Sequence, residues 1–451
     1  MAQPQMRTTP VTPAPSGAGR FGEVAGQWTG RLVAGRGSTP FRLRMVLLVT
    51  MVVALVFAVL GAYGVGKRRS SIDATRHAAS QLLDLQDIRV DLVKADSIAS
   101  RLYLAGGAED PSQRQLYVDS IDSVATMLVA VALQLNLGGD QAEAMEEANA
   151  GLTRYSGLIE QARANNRQGF PVGAAYEREA NGDAGKIVAN LRVVEQSQRA
   201  TVSDELAAAH RAGAWLAVTG WGLVATIALV GVWLALRFRR VVNVPLVVAI
   251  VVVLVVLILA SATQGRAVNA ADDAVGGSLT TADLIAQARA AAYDAQSQEA
   301  LTLINRGNGD ANERQWKASS DVVVSALEQA CANGSSGACD LRKPWDDYVT
   351  GHEHIRELDD AGDWDTAVAI SLGRASAASD PTVDLQMTTA PFATFDSTSA
   401  KLVDVSGQSA QASLSSATDG LALMRVLVFL AGILVIVLAF VGIGQRLREY
   451  R

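Results

Sequence analysis

The chain has 451 residues, of which 49% are hydrophobic but only 5% aromatic, and its net charge is −6. The hydrophobic excess consists of Ala, Val and Leu gathered in a few blocks, which excludes one large soluble core and indicates membrane spans. No nucleic-acid partner is expected.

Four blocks are long and apolar enough to cross a bilayer, which takes about 20 residues of helix. They are 45–66, 214–236, 241–262 and 426–444, and none contains a charged side chain. A buried soluble helix rarely stays uncharged for so long. The apolar region of a cleaved signal peptide is shorter than the first block. The sequence therefore predicts a multi-pass protein of the plasma membrane with an uncleaved first span.

Three short pieces outside these spans are strongly basic. They are the tail 1–44, the link 237–240 and the tail 445–451, which together hold 12 Arg and two Glu. Basic flanks stay in the cytoplasm. All three pieces are therefore predicted to be cytoplasmic, and the first, rich in Pro and Gly, to be disordered.

The two long segments between spans are acidic, and we expect both to be extracytoplasmic. The net charge is −4 over 66–213 and −13 over 265–420. Lys67, Arg68 and Arg69 oppose this orientation, but the three basic pieces outweigh them. The extracytoplasmic domains are predicted to cover 67–213 and 263–425.

Helical spacing of apolar residues predicts an up-down four-helix bundle in each long segment. The expected helices of the first bundle are about 70–105, 112–135, 142–167 and 174–213. Those of the second are about 266–305, 312–331, 344–360 and 382–420, with a short extra helix at 363–377. The fold class is therefore all-α, with four transmembrane helices and two tandem extracytoplasmic bundles.

The two cysteines lie close together in the second segment. Cys331 and Cys339 flank a Gly/Ser-rich loop, which can bring their Cα atoms into bridging range. Disulfides persist outside the cytosol, so we expect a disulfide. Zinc is not expected, because no other soft ligand is nearby.

Motifs for catalysis are not recognisable, so we expect no enzyme, no cofactor and no metal. His352 and His354 are two residues apart and point to different faces of a helix, so a solvated helix face is a better reading than a metal site. Transport would call for polar groups within the spans, and the spans are apolar throughout.

An acidic run in the second segment is the candidate docking surface. Asp359, Asp360 and Asp363 precede Trp364 in this run, and an aromatic side chain amid charge suits a partner anchor. The simpler interpretation is a solvated helix end. In an up-down bundle the turn that holds them faces away from the membrane, where a tethered partner would arrive.

The layout resembles a known family. The sensory half of bacterial chemoreceptors consists of a membrane span, a helical bundle and a second span, and this arrangement occurs twice here. A weak repeat at an offset of 200 supports duplication: 95–97 matches 295–297, and 114–115 matches 314–315. With Trp345 and Tyr348 and the Arg-rich tail, the chain resembles the membrane sensor subunit of the actinobacterial glutamine-binding-lipoprotein and protein kinase G module.

This resemblance implies a signalling role. The extracytoplasmic domains would receive a solute-binding lipoprotein loaded with aspartate, glutamate or a related amino acid. The signal would reach a cytoplasmic Ser/Thr kinase that controls nitrogen and glutamate metabolism. The alternative is a non-signalling envelope scaffold or a transporter accessory subunit.

Overall fold

The computed structural model describes residues 39–106, 109–135, 138–238, 243–375 and 379–448. Every regular element in these ranges is a helix, in agreement with the predicted class. Most of the basic tail, part of the basic link and the last three residues lie outside the described ranges. Helix begins at Thr39, so the described end of the tail is helical rather than disordered.

The described residues of the first half of the chain form five α-helices. They are α1 (Thr39–Val56), α2 (Ala62–Leu104), α3 (Pro111–Gln134), α4 (Asp140–Arg167) and α5 (Gly173–Phe238). A short π-helical stretch, Phe57–Gly61, joins α1 to α2. As predicted, α5 contains both the last bundle helix and the second span without interruption.

The described residues of the second half form eight α-helices. They are α6 (Val244–Asp273), α7 (Thr280–Ile304), α8 (Asp310–Ala332), α9 (Ser336–Asp340), α10 (Arg342–Asp360), α11 (Trp364–Leu372), α12 (Thr389–Ala417) and α13 (Leu421–Arg448). A second π-helical stretch, Ala274–Leu279, joins α6 to α7. A turn at Gly420, whose φ is +78°, separates α12 from α13.

Within the described residues, five helices are long and apolar enough to span a membrane. This indicates a membrane protein. Four of them overlap the predicted spans. The fifth is α3, which includes Arg114, Asp119 and Asp122.

The chain divides into two compact units. One contains Ala214–Ser261 with the described residues up to Gly64 and from Leu423. The other contains Val65–Gly213, here called the first segment, and Ala262–Ala422, the second segment. The two segments form one compact unit, where the sequence predicts two tandem bundles.

The apolar cores explain why the segments join. One core is built from the first segment alone and includes Tyr155 and Leu128. A second is centred on Trp345 and Tyr348, and it also takes in Val90 and Val93 of α2. Because α2 supplies apolar side chains to a core of the second segment, separating the segments would expose that surface to water.

The disulfide predicted between Cys331 and Cys339 is present, with Cα atoms 5.0 Å apart. The loop that it closes contains the short helix α9. The side chain of Ser335 accepts a hydrogen bond from the backbone N–H of Ala338 and caps that helix.

Candidate functional site: the polar seam and the histidine cluster

The helices α2 and α7 are equivalent in the repeat, and they bind each other through equivalent residues. Ser97 Oγ donates a hydrogen bond to Gln296 Oε1 at 2.7 Å. In return, Ser297 Oγ donates to Asp96 Oδ2 at 2.8 Å. All four side chains are buried. The short motif that suggested duplication is therefore the place where the duplicated helices meet.

The hydrogen bonds continue from this pair into α5. Ser100 Oγ lies 3.0 Å from Glu177 Oε1 and 3.2 Å from Ser297 Oγ. Asn181 Nδ2 donates to Asp96 Oδ2 at 2.7 Å. We call this set the polar seam, and its members are Asp96, Ser97, Ser100, Glu177, Asn181, Gln296 and Ser297.

Counting protons in the seam indicates that one of its two carboxyls is neutral. Ser100 and Ser297 carry one hydroxyl proton each. If both carboxyls are ionised, each hydroxyl donates to its own carboxylate and no proton lies between the two hydroxyl oxygens. If Glu177 is protonated, it donates to Ser100, Ser100 donates to Ser297, and Ser297 donates to Asp96. A proton on Asp96 would run the same chain in the opposite direction, so one proton on either carboxyl satisfies every contact.

The pKa values place this proton on Glu177. Burial and the charge of Asp96 together raise the pKa of Glu177 from 4.5 to about 8. Burial also raises the pKa of Asp96, to about 6, while hydrogen bonds from Ser297 and Asn181 oppose the shift. Among the described residues neither carboxyl forms an ion pair with Lys or Arg, so burying two negative charges here would be costly.

A second buried cluster lies around His352, on α10. Its Nδ1 is 3.0 Å from Glu299 Oε2 and its Nε2 is 3.2 Å from Glu313 Oε2. Trp316 stacks on the imidazole with ring centroids 3.7 Å apart. The interpretation of this position as a solvated helix face was wrong, because the side chain is 1% exposed. His354, in contrast, is partly exposed, at 37% of its side chain.

Glu299 is the centre of this histidine cluster. Besides His352, it accepts hydrogen bonds from Tyr348 Oη at 3.1 Å and from Ser371 Oγ at 2.8 Å. Burial lowers the pKa of His352, but hydrogen bonds and charge from Glu299 and Glu313 outweigh burial, so the net shift is upward. The imidazolium form is therefore held between two carboxylates. No group of described residues is arranged to hold a metal ion.

The predicted docking residues have local structural roles. Asp359 pairs with Arg356 and has only 10% of its side chain exposed. Asp363 Oδ1 accepts a hydrogen bond from the backbone N–H of Thr366 and caps α11. Asp360 also pairs with Arg356, but 72% of its side chain is exposed.

Trp364 is anchored to the turn after α7. Its Nε1–H donates to the backbone oxygen of Leu303 at 2.9 Å, and the guanidinium of Arg306 lies 3.8 Å from its ring centroid. This contact brings the ends of α7 and α10 together, as the up-down order predicts. Of the four docking candidates, Asp360 is the one with most of its side chain free for a partner.

Sequence reasoning missed Glu177, Glu299 and the burial of His352. A charged residue in a helix normally indicates the solvated face, and nothing in the period of α5 distinguishes Glu177 from its neighbours. The repeated small and polar residues at 96, 97, 100, 296 and 297 were the available signal, because such a stripe suits close helix contact through hydrogen bonds.

Residues 71–207 match the family model of an actinobacterial sensor domain. The matched range contains most of α2, all of α3 and α4, and the part of α5 that supplies Glu177 and Asn181 to the polar seam. No curated protein and no solved structure matches the chain.

Proposed function

We propose that the protein is a transmembrane sensor that couples an extracytoplasmic amino-acid-binding lipoprotein to a cytoplasmic Ser/Thr kinase. The polar seam is the observation that carries this proposal. It joins α2 to α7, which are the first helices of the two segments, at a buried and hydrogen-bonded contact. The similarity of the first segment to a sensor domain supports the same role.

The proposed topology has four spans, with both segments outside and the basic pieces inside. The charge difference between the basic pieces and the acidic segments supports this orientation. The fifth apolar helix, α3, is assigned to the extracytoplasmic unit. It carries charged residues, and it packs Tyr117, Val124 and Leu128 into the core of the first segment.

Signal transmission is proposed to occur by a small shift of α2 against α7. Short side chains such as Ser97, Ser100 and Ser297 let these helices approach closely. Their hydroxyl groups can also exchange hydrogen-bond partners without large side-chain movement. Because a packed interface tends to adopt discrete arrangements, such a contact suits a two-state switch. The switch acts on a partner protein, and the chain itself is proposed to have no enzymatic activity.

The proposed docking surface is the end of the bundle that holds the turn between α10 and α11. Asp360 is exposed there, and the second segment is strongly acidic. An acidic surface attracts a partner with a basic face and accelerates encounter. The lipoprotein is proposed to bring the amino-acid ligand to this surface.

Photo-crosslinking in native membranes tests the proposal. A photoreactive residue at Asp360 is expected to capture an extracytoplasmic binding lipoprotein, whereas one at Asp340 on α9 serves as the exposed control. The same membranes are probed for a change in crosslinking between introduced cysteines in α1 and α13 on addition of the amino acid. Capture without any such change would favour the scaffold alternative, and failure of capture at Asp360 would contradict the docking surface.

A further inference from the structure

A groove runs along the extracytoplasmic unit between α5 and α7, with α8 on its far side. Its volume is about 1000 Å³, at the upper end of the range for small-molecule pockets. All of its lining residues belong to the first and second segments. The polar seam described above lies at its floor, where Asp96 and Asn181 contribute to the lining.

One end of the groove is cationic. Arg89, Arg192 and Arg199 all line it. Arg199 is engaged, because its Nη2 donates to Asp283 Oδ1 at 2.6 Å and to Glu195 Oε2 at 3.3 Å. Arg192 is exposed and makes no hydrogen bond or ion pair with the described residues.

Arg89 is the unusual member of this group. It is 3% exposed, and its Nε lies 3.2 Å from Glu195 Oε1. Its Nη2 is buried and has no acceptor among the described residues. A buried guanidinium N–H without an acceptor is costly, so an acceptor brought by a ligand would stabilise this arrangement.

The wall of the groove beside these arginines is open. Gly182 and Gly185 of α5 both line it, and a Cβ atom added at either position would meet no atom within 4 Å. A ligand can therefore lie directly against the backbone of α5. Farther along, Gln315 and Ser319 of α8 present polar groups around Asp294.

We propose that this groove binds a small organic carboxylate directly. The carboxylate would pair with Arg192 and with the free Nη2 of Arg89, since guanidinium groups favour carboxylates through paired, charge-assisted hydrogen bonds. The polar wall of α8 would receive hydrogen-bonding groups at the other end of the molecule. Such a ligand would touch α2, α5 and α7 together, which are the three helices joined by the polar seam.

This site is separate from the docking surface, and its occupation needs no lipoprotein. Binding is therefore measured by calorimetry on the purified full-length protein in nanodiscs, without any partner. The probes are acetate, succinate, glutarate, citrate and L-glutamate, with glutaramide as an uncharged analogue and sulfate as an inorganic anion. Saturable binding of at least one carboxylate, tighter than that of glutaramide and sulfate, is expected.

Two variants locate the binding. Arg192→Gln is expected to weaken the carboxylate about tenfold, because it removes a charged hydrogen bond from an exposed residue. Arg211→Gln, at an exposed position of α5 outside the groove, is the matched control and should leave affinity unchanged.

The second variant, Gly185→Leu, fills the groove without changing its charge. It should abolish binding while leaving the helix at least as stable, because Leu is a better helix former than Gly. Gly157→Leu on α4, where a Cβ also meets nothing, is its control. The proposal is overturned if none of the carboxylates binds, if sulfate binds as tightly as they do, or if Arg192→Gln and Gly185→Leu both leave binding unchanged. None of these results bears on crosslinking at Asp360.

Discussion

Asp96 and Ser297 bind each other across the boundary between the two segments, 201 positions apart in the chain. This contact is buried, and it is paired with the reciprocal contact of Ser97 and Gln296. Two helices that were predicted to belong to separate domains therefore share one polar interface. Substitutions in one segment should consequently affect the stability of the other.

The first prediction concerns this interface. Ser297→Ala removes a donor from the buried carboxyl of Asp96 and breaks the link to Ser100, so we expect a loss of about 1–3 kcal/mol in the free energy of unfolding. Thermal unfolding of the purified protein in detergent measures the loss. Ser416→Ala, at an exposed position of α12, should change the midpoint little. Equal effects of the two substitutions would show that the seam does not hold the segments together.

The second prediction follows from the proton on Glu177. The pKa of this carboxyl is raised from 4.5 to about 8 in the folded protein, so between these values the folded state binds more protons than the unfolded state. Stability should consequently fall as pH rises through this window, by up to about 1.4 kcal/mol per pH unit. Thermal midpoints measured across the window test this slope.

Glu177→Gln provides the matched variant for that slope. Its amide can donate to Ser100 as the protonated carboxyl does, but it does not titrate. We expect Glu177→Gln to fold and to lose most of the decline in stability toward pH 8. If the variant shows the same pH profile as the parent protein, another group binds the proton.

The third prediction concerns His352. Its folded pKa is raised above the ordinary 6.5 by Glu299 and Glu313 despite its burial. The stabilisation is therefore fully present below pH 6.5 and is lost as pH rises through the folded value. His352→Gln leaves Glu299 buried without its charged partner, which should cost about 3–5 kcal/mol. The exposed His77→Gln is the control, and a small effect of His352→Gln would show that the cluster is neutral.

The fourth prediction concerns the disulfide. Cys331 and Cys339 should resist thiol reagents until they are reduced. Replacing both by Ser should lower the free energy of unfolding by about 2–3 kcal/mol, as the entropy of closing a short loop predicts. Mass spectrometry after thiol labelling and thermal unfolding with and without reductant check both statements. Labelling of the native protein without reductant would contradict the first.

Much of the fold could be predicted from apolar periodicity, and much of the site could not. The bounds of α3, α4 and α8 fall within two residues of prediction, because local spacing, Gly and Pro determine where these helices begin and end. The repeat at 95–97 and 295–297 was also visible. The contact between the two copies could not be predicted, because the helical period does not show which distant helix a given face will contact.

His352 illustrates the same limit. Its spacing from His354 excluded a shared face, but it did not reveal that α10 turns the first of the two toward Glu299 on α7. Pairing of a charged side chain with a distant partner is decided by tertiary packing. When only its own helix is considered, such a residue is predicted to be exposed to solvent.

The last prediction concerns docking, and the structure narrows the substitutions that can test it. If the charges of Asp359, Asp360 and Asp363 were reversed together, weaker binding could come either from lost docking contacts or from disturbed folding. Asp359 is mostly buried against Arg356, and Asp363 caps α11, so changing either should weaken the turn that positions Trp364. Asp360→Lys alone reverses an exposed charge, and exposed pairs contribute little to stability.

We therefore expect Asp360→Lys to leave the thermal midpoint nearly unchanged. It should weaken association with the proposed lipoprotein partner severalfold at low salt, and it should flatten the salt dependence of the association rate. Asp340→Lys carries the same charge change on α9 and controls for the net charge of the whole protein. If the two variants slow association equally, the acidic second segment attracts the partner only through its overall field, and the docking contact lies on the flanks of the bundle.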